Sequence, residues 1–143
     1  MDNPNRTKEQ IIASMNQHRP TFLRLLGCEI VDVDLEKGIC EMYFDVNEQF
    51  CHSVNIIQGG FVTAMLDAVS AHATFALTSE SIKLSSLELK VSFMGASFMG
   101  KYKAIGKVEK LTRNFAFVSA ELFNEEGERT ATLSSTAKIS YPK

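Results

Sequence analysis

Asp67 is the only residue charged at neutral pH between Glu48 and Glu80, and it stands inside a run rich in Ala, Val, Leu, Met and Phe. Taking an ionised carboxylate out of water costs several kcal/mol unless it is paired, hydrogen-bonded or wet, so its presence there needs a reason. A carboxylate held in an apolar setting can attack a carbonyl carbon or take a proton from water. Eight and seven residues earlier stand Gly59 and Gly60. At the head of a helix the first amides lack intrahelical partners and the dipole is positive, which suits a carbonyl oxygen as it gains negative charge, or a bound anion. Glycine there lets a ligand come close to the backbone, although tight turns use the same letters. Thr63, Asp67, Ser70 and Thr74 share one face of such a helix. His72 is rotated about 140° from Asp67, so it reads as a core or interface histidine.

Other reactive types are sparse. Cys28, Cys40 and Cys51 are odd in number and lack C-x-x-C spacing, as reduced and mostly buried thiols do. His18, His52 and His72 form no pair at i, i+4, so no metal site is expected. Cys51 and His52 are a nucleophile and a base by type, but adjacent side chains point different ways and read as loop residues.

The 143 residues suffice for one domain with its own core, and a formal charge of −2 carries no footprint for nucleic acid or an anionic membrane. No linker, internal repeat or low-complexity segment is expected, since Pro occurs only at 4, 20 and 142. The first residues lack the apolar stretch of a signal peptide, which points to the cytoplasm. The apolar run 59–77 approaches membrane-spanning length, but Asp67, His72 and its hydroxyls favour a buried helix.

Certain elements must position these groups. Thr7-Lys-Glu-Gln10 is a capping box ahead of a helix ending near His18, Pro20 stops it, and 21–27 adds helical turns. A hairpin follows, with Val31, Val33 and Leu35 alternating against Asp32, Asp34 and Glu36, and then Cys40, Met42, Phe44 and Val46 against Glu41 and Asp45. Residues 47–58 read as a loop into the long helix 59–77. Strands are expected with Leu87, Leu89, Val91 and Phe93 on one face, and at 102–111, 115–123 and 130–141. The fold class is α+β, an antiparallel six-stranded sheet around one long helix, with residues 1–20 as an N-terminal helical extension. A helix apolar on every side and an unpaired sheet edge call for at least a dimer.

The run Asn55-Ile-Ile-Gln-Gly-Gly-Phe-Val-Thr-Ala-Met-Leu-Asp67 and the order of elements resemble the hotdog-fold acyl-CoA thioesterases of the PaaI-like group. Their motif is a loop Asn, then His-Gly-Gly, then an Asp eight residues after the first glycine, and the likeness spans 22–141. It implies hydrolysis of a small or medium acyl or aryl-acyl thioester to free acid and CoA. The Gly59 amide would polarise the carbonyl, and Asp67 would act as nucleophile or base. Ser86, or Ser85 if the register slips, would place the water. Gln58 stands where the family has His; His52 stands fifteen residues before Asp67, where the family has Asn or Gln, so either His52 or Asn55 takes the loop's polar role. Substrate contacts would include Gln58, Gly60, Phe61 and Ser70. Phe44, Met65 and Phe93 are possible acyl-tunnel residues or ordinary core, and Lys107, Lys110 and Arg113 are possible CoA-phosphate ligands or ordinary solvated charges. The likeness further implies a site composed from two subunits of a homodimer or dimer of dimers, with no metal or separate cofactor, CoA being part of the substrate.

Three other readings use the same residues. His52 with Asp67 could serve an enoyl-thioester hydratase or dehydratase. The domain could bind acyl-CoA without turnover. Asp67 could be a hydrogen-bonded carboxylate that holds a dimer interface.

Overall fold

The computed structural model describes residues 6–143; positions 1–5 of the expected N-terminal extension lie outside them. The capping box forms as expected, with Thr7 Oγ1 accepting from the Gln10 amide and Gln10 Oε1 accepting from the Thr7 amide. It starts α1 (Lys8–Gln17), whose Ile11 and Met15 are buried, and Pro20 opens α2 (Thr21–Leu25). Then come β1 (Glu29–Asp34), β2 (Ile39–Val46), the long helix α3 (Gly59–Leu77), β3 (Lys83–Phe93), β4 (Gly100–Leu111), β5 (Phe115–Phe123) and β6 (Arg129–Ser140). The 47–58 segment, expected to be irregular throughout, contains a short 3-10 turn at Glu48–Phe50.

The six strands form one antiparallel sheet in the order β1-β2-β4-β5-β6-β3. Along α3 the side chains of Met65, Leu66 and Val69 are fully buried, and the sheet meets them with Met42, Phe44, Ala104 and Leu122. Helix and sheet touch most closely at Gly106. A Cβ there would stand on the Val69 carbonyl, 2.6 Å from its carbon and 2.8 Å from the Ser70 nitrogen. Although α3 has the length and mean hydropathy of a membrane span, nine of its residues are buried in this packing, so it is a core helix.

Two bulges shift the expected strand faces. Simple alternation puts Val31, Val33 and Leu35 inward, but the β1–β2 register shifts between Ile30 and Asp32, and the buried pair is Ile30 and Val33. In β3 the register shifts between Ser86 and Glu88. Leu87, expected to share a face with Leu89, is the extra residue and is exposed. Because the bulge absorbs one position, Ser86 falls on the same face as Leu89, Val91 and Phe93.

The sheet has two edges. Helix α1 packs against β1, whereas β3 is open, with nine of its eleven residues exposed. Cys28 and Cys40 are buried, Cys51 partly so, and all are free thiols. Burial pushes the Cys28 thiol up to about 12. His72 is a core histidine as expected: its Nδ1 donates to the Ala68 carbonyl at 2.7 Å and its ring meets Phe75 edge-on.

Gly106→Ala is expected to cost about 2 kcal/mol or more, lowering the melting temperature by about 5 °C in a thermal scan, because backbone lies on the other side of the contact. Burial lowers the His72 pKa below 6.5. The imidazole therefore stays neutral in the fold after the unfolded chain has taken up its proton. Stability is unaffected above that range and falls as pH drops through it, by up to about 1.4 kcal/mol per pH unit. Urea unfolding at about pH 7.5 and about pH 5.5 is expected to show this loss, and His72→Gln to reduce it.

Candidate active site

Gln58 is the N-cap of α3. Its Oε1 accepts from the Gly60 amide at 2.7 Å, and its carbonyl accepts from the Phe61 and Val62 amides at 2.9 and 3.3 Å. These bonds occupy the first-turn donors except one. The Gly59 amide has no partner among the described residues, so it is the donor available to a ligand. Gln58, expected to touch substrate, closes the helix end through its Oε1, which takes up the Gly60 amide, and it is exposed. Phe93, at the far end of β3, lies beside the free donor: a Cβ on Gly59 would be 3.3 Å from its ring. Phe61 stacks edge-on against Phe50, with ring centroids 5.0 Å apart.

Two helical turns further on, Asp67 is half-buried rather than fully enclosed. Its Oδ1 accepts a hydrogen bond from Ser86 Oγ at 2.9 Å. Of the two candidate serines, Ser86 is the one that reaches the carboxylate; Ser85 is on the other face of β3, opposite Lys138. The bulge at Leu87 makes this possible, and simple alternation of the apolar residues does not show it. The remaining hydroxyls of the polar stripe turn along the helix: Thr63 donates to the Gly59 carbonyl, Ser70 to that of Asp67, and Thr74 to that of Ser70. Ser70 is buried, and it lines a small cavity together with Asp67, Thr74 and Ser86.

The loop candidates sit apart. Cys51 pairs with Ile57 and Ile56 with Phe98, which leaves His52, Ser53, Val54 and Asn55 exposed at a tip. The His52 ring bonds the Ser53 hydroxyl at 2.8 Å, and Asn55 uses its carbonyl to accept from the Met99 amide. Neither is bonded to Asp67 within the chain, and Cys51 has no imidazole partner. Lys110 and Arg113 are exposed around the β4–β5 turn, with Arg113 over the Tyr141 ring. That turn lies at the end of the sheet near Lys138 and Ser140, away from Phe93 and Gly59. Phe44 and Met65 are plain core, fully enclosed. Among the described residues, no three His, Cys, Asp or Glu side chains gather as a metal-binding group.

A cavity of about 700 Å3 is on the face of the sheet away from α3, between Tyr43, Lys101, Lys103 and Phe123. It holds no nucleophile paired with a base, so the chemistry points to Asp67 instead. One feature was missed from the sequence: a short tandem repeat, Ser92-Phe-Met-Gly95 and Ser97-Phe-Met-Gly100, borders the helix entrance.

The model of the thioesterase superfamily matches residues 55–131, from the end of the loop through α3, β3, β4 and β5 to the start of β6. The chain belongs to this superfamily. A phenylacetic acid degradation-related protein from Ralstonia eutropha JMP134 is 30% identical, with 90% of this chain and 98% of that one covered at a TM-score of 0.81. The PaaI protein of E. coli, from the phenylacetic acid degradation operon, shares the fold at 17% identity and a TM-score of 0.78, with 90% and 91% covered. A thioesterase from Haemophilus influenzae shares it at 18% identity and a TM-score of 0.79, with 96% and 92% covered. A search of curated proteins finds no match. The chain is thus a PaaI-like hotdog protein and a thioester hydrolase of the acyl-CoA thioesterase type.

In this thioesterase the Ser86 hydroxyl is the hydrogen-bond partner of the Asp67 carboxylate. Ser86→Ala is expected to lower kcat by roughly tenfold to a hundredfold in a thiol-release assay with KM little changed, and Ser86→Thr to retain most of the rate.

Proposed function

We propose that Asp67 is the catalytic carboxylate and that the thioester carbonyl it acts on is held by the Gly59 amide of a second copy of the chain. The observation that carries this reading is a separation. Eight residues put Gly59 and Asp67 about 12 Å apart along the helix axis. One carbonyl must lie about 3 Å from both its nucleophile and its oxyanion donor, so the two groups of a single chain cannot serve the same substrate. The open strand β3 offers the remedy. It carries Ser86, the partner of Asp67, near one end and Phe93, which lies against Gly59, at the other. Antiparallel pairing of β3 with its counterpart about a two-fold axis brings the Phe93 end of one copy beside the Ser86 end of the other. Two equivalent sites result, each with one copy's Asp67 and the other's Gly59.

In each site the carbonyl oxygen accepts from the Gly59 amide. Asp67 either attacks the carbonyl carbon or takes a proton from the water that does. The tetrahedral intermediate then collapses, the carbon–sulfur bond breaks, and CoA leaves as thiolate. If Asp67 was the nucleophile, water hydrolyses the resulting anhydride; both routes release the free acid. The exposed loop tip supplies His52 or Asn55 to the carbonyl side of the site. Lys110 and Arg113, on the Asp67 side of the sheet, are free to meet CoA phosphates. This chemistry uses the chain's own groups and needs no metal or second cofactor, and CoA arrives as part of the substrate. A small or medium acyl or aryl-acyl group in a cytoplasmic setting is the inferred context.

Thiol release from a panel of acyl-CoAs is expected to fall by about a thousandfold or more in Asp67→Asn and Asp67→Ala, with the protein sedimenting as a dimer or a dimer of dimers. Hydrolysis that survives both substitutions removes Asp67 from the mechanism. Hydration of enoyl-CoA without CoA release, lost in His52→Ala, would assign the hydratase chemistry instead.

A further inference from the structure

The backbone that leads into Gly59 is held from one side by a segment that belongs to no strand. Between β3 and β4, the Ser97 carbonyl accepts from the Ile57 amide at 2.8 Å, the Met99 amide donates to the Asn55 carbonyl at 2.7 Å, and Phe98 pairs with Ile56. Gly59 follows Ile57 by two positions, so the place of its amide depends on where residues 97–99 lie.

Buried hydroxyls hold that segment, and none of them has a part in the chemistry assigned to Asp67, Ser86 and Gly59. Thr130, at the start of β6, accepts from Ser97 Oγ through its own Oγ1 at 3.0 Å, and its carbonyl accepts from the Met94 and Gly95 amides at 2.9 and 3.2 Å. Tyr102, on β4, donates its phenol to the Phe98 carbonyl. Ser97, Tyr102 and Thr130 are each 5% exposed. Burial pushes the Tyr102 phenol up from its ordinary pKa, so it remains a donor. A valine at 130 or a phenylalanine at 102 would fill the same space without a polar atom to satisfy, and a buried hydroxyl is costly unless it is bonded. The bonds these hydroxyls make end on Ser97 and Phe98, the residues that meet the backbone of 56 and 57.

We propose that Thr130 and Tyr102 are positioning residues for the hydrolysis. Through Ser97 and Phe98 they hold residues 55–57, and with them the Gly59 amide, where that amide meets the thioester carbonyl. The inference rests on the reading of Gly59 as the carbonyl's donor. In the two-fold arrangement the carboxylate comes from the other copy, so nothing in the donor's own helix aligns the two groups. The sheet sets that alignment, and β4 and β6 supply the contacts. A donor misplaced by about 1 Å costs on the order of a hundredfold in rate, whereas binding, spread over the whole of CoA, changes little.

The test is thiol release by the full-length protein, with kcat and KM measured separately on the acyl-CoA it hydrolyses fastest. Thr130→Val and Tyr102→Phe are each expected to lower kcat about tenfold with KM changed less than about twofold, and Thr130→Ser, which keeps the hydroxyl, to retain most of the rate. The double substitution is expected to cost less than the product of the two, because both act on one segment. Amide exchange is expected to quicken at Ile57 and Met99 and to stay slow in the centre of β5. Val33→Ala, a core loss on β1, is expected to lower the melting temperature and leave kcat unchanged. An equal fall of kcat in Val33→Ala overturns the inference, since the rate then only follows stability. Unchanged kcat in folded Thr130→Val and Tyr102→Phe overturns it too, and Tyr102→Phe, which removes a single oxygen, decides alone if Thr130→Val fails to fold. Gly59→Pro and Gly59→Ala separate the two levels. Proline is tolerated at the first helical position and lacks the N–H, and Gln58 before it already has the extended backbone proline requires, at φ −63° and ψ 138°. Alanine adds a carbon and keeps the amide. A kcat about a hundredfold lower in Gly59→Pro than in Gly59→Ala, beside unchanged rates in Thr130→Val and Tyr102→Phe, keeps the donor and removes the positioning role. Equal rates in Gly59→Pro and Gly59→Ala remove the donor, and the positioning role with it.

Discussion

Helix α3 can lie on the sheet only because β4 has no side chain at position 106. The Val69 carbonyl and the Ser70 amide occupy the space a Cβ would need there. This backbone-to-backbone approach fixes the height of the helix above the strands, and a fixed height is what allows a short serine on β3 to reach an aspartate on α3 at 2.9 Å. A helix raised by one side-chain layer would leave Asp67 with water as its partner. Packing at native density makes such a contact rigid, so the effect of the small residue at 106 extends to the site.

The same helix imposes a geometric conflict that its own chain does not resolve. Its N-terminus presents one unoccupied amide, at Gly59, because Gln58 has already taken up the Gly60 donor. Its middle presents the carboxylate. Rigid helical rise holds the two about 12 Å apart, which is too far for one substrate and suited to two copies related by a two-fold axis. The exposed β3 edge has the unpaired backbone groups such an association requires. The reading of the site as shared therefore follows from the length of eight helical residues and the position of one open strand.

Much of this was legible in the sequence, and the failures have a common cause. The limits of α3 could be read because Gly-Gly opens an unbroken apolar run and Thr78, Ser79 and Glu80 close it. The capping box of α1 is local chemistry between residues three apart, which the sequence displays directly. Alternation failed at Val31 and at Leu87, since a bulge adds a residue without altering the composition on either side. Read by period alone, Ser86 faces away from the helix; the bulge turns it toward Asp67. Gln58 and Ser70 each bond the helix backbone with a side-chain oxygen, a choice made by rotamers and neighbours that spacing does not encode.

The amino-acid sequence by itself determined the order of elements, the isolation of Asp67 in an apolar helix, the glycine entrance eight residues before it, and the likeness to hotdog thioesterases. Those are properties of neighbours along the chain, where periodicity, capping and residue type act over a few positions. Only the tertiary structure decided that Ser86 is the partner of Asp67, that the amide of Gly59 and not Gly60 is free, and that Phe93 stands beside it. Each of these joins residues from different elements or depends on which of several hydrogen bonds a side chain makes. Such choices are settled by sheet register and helix height, and neither is written in any single stretch of the sequence.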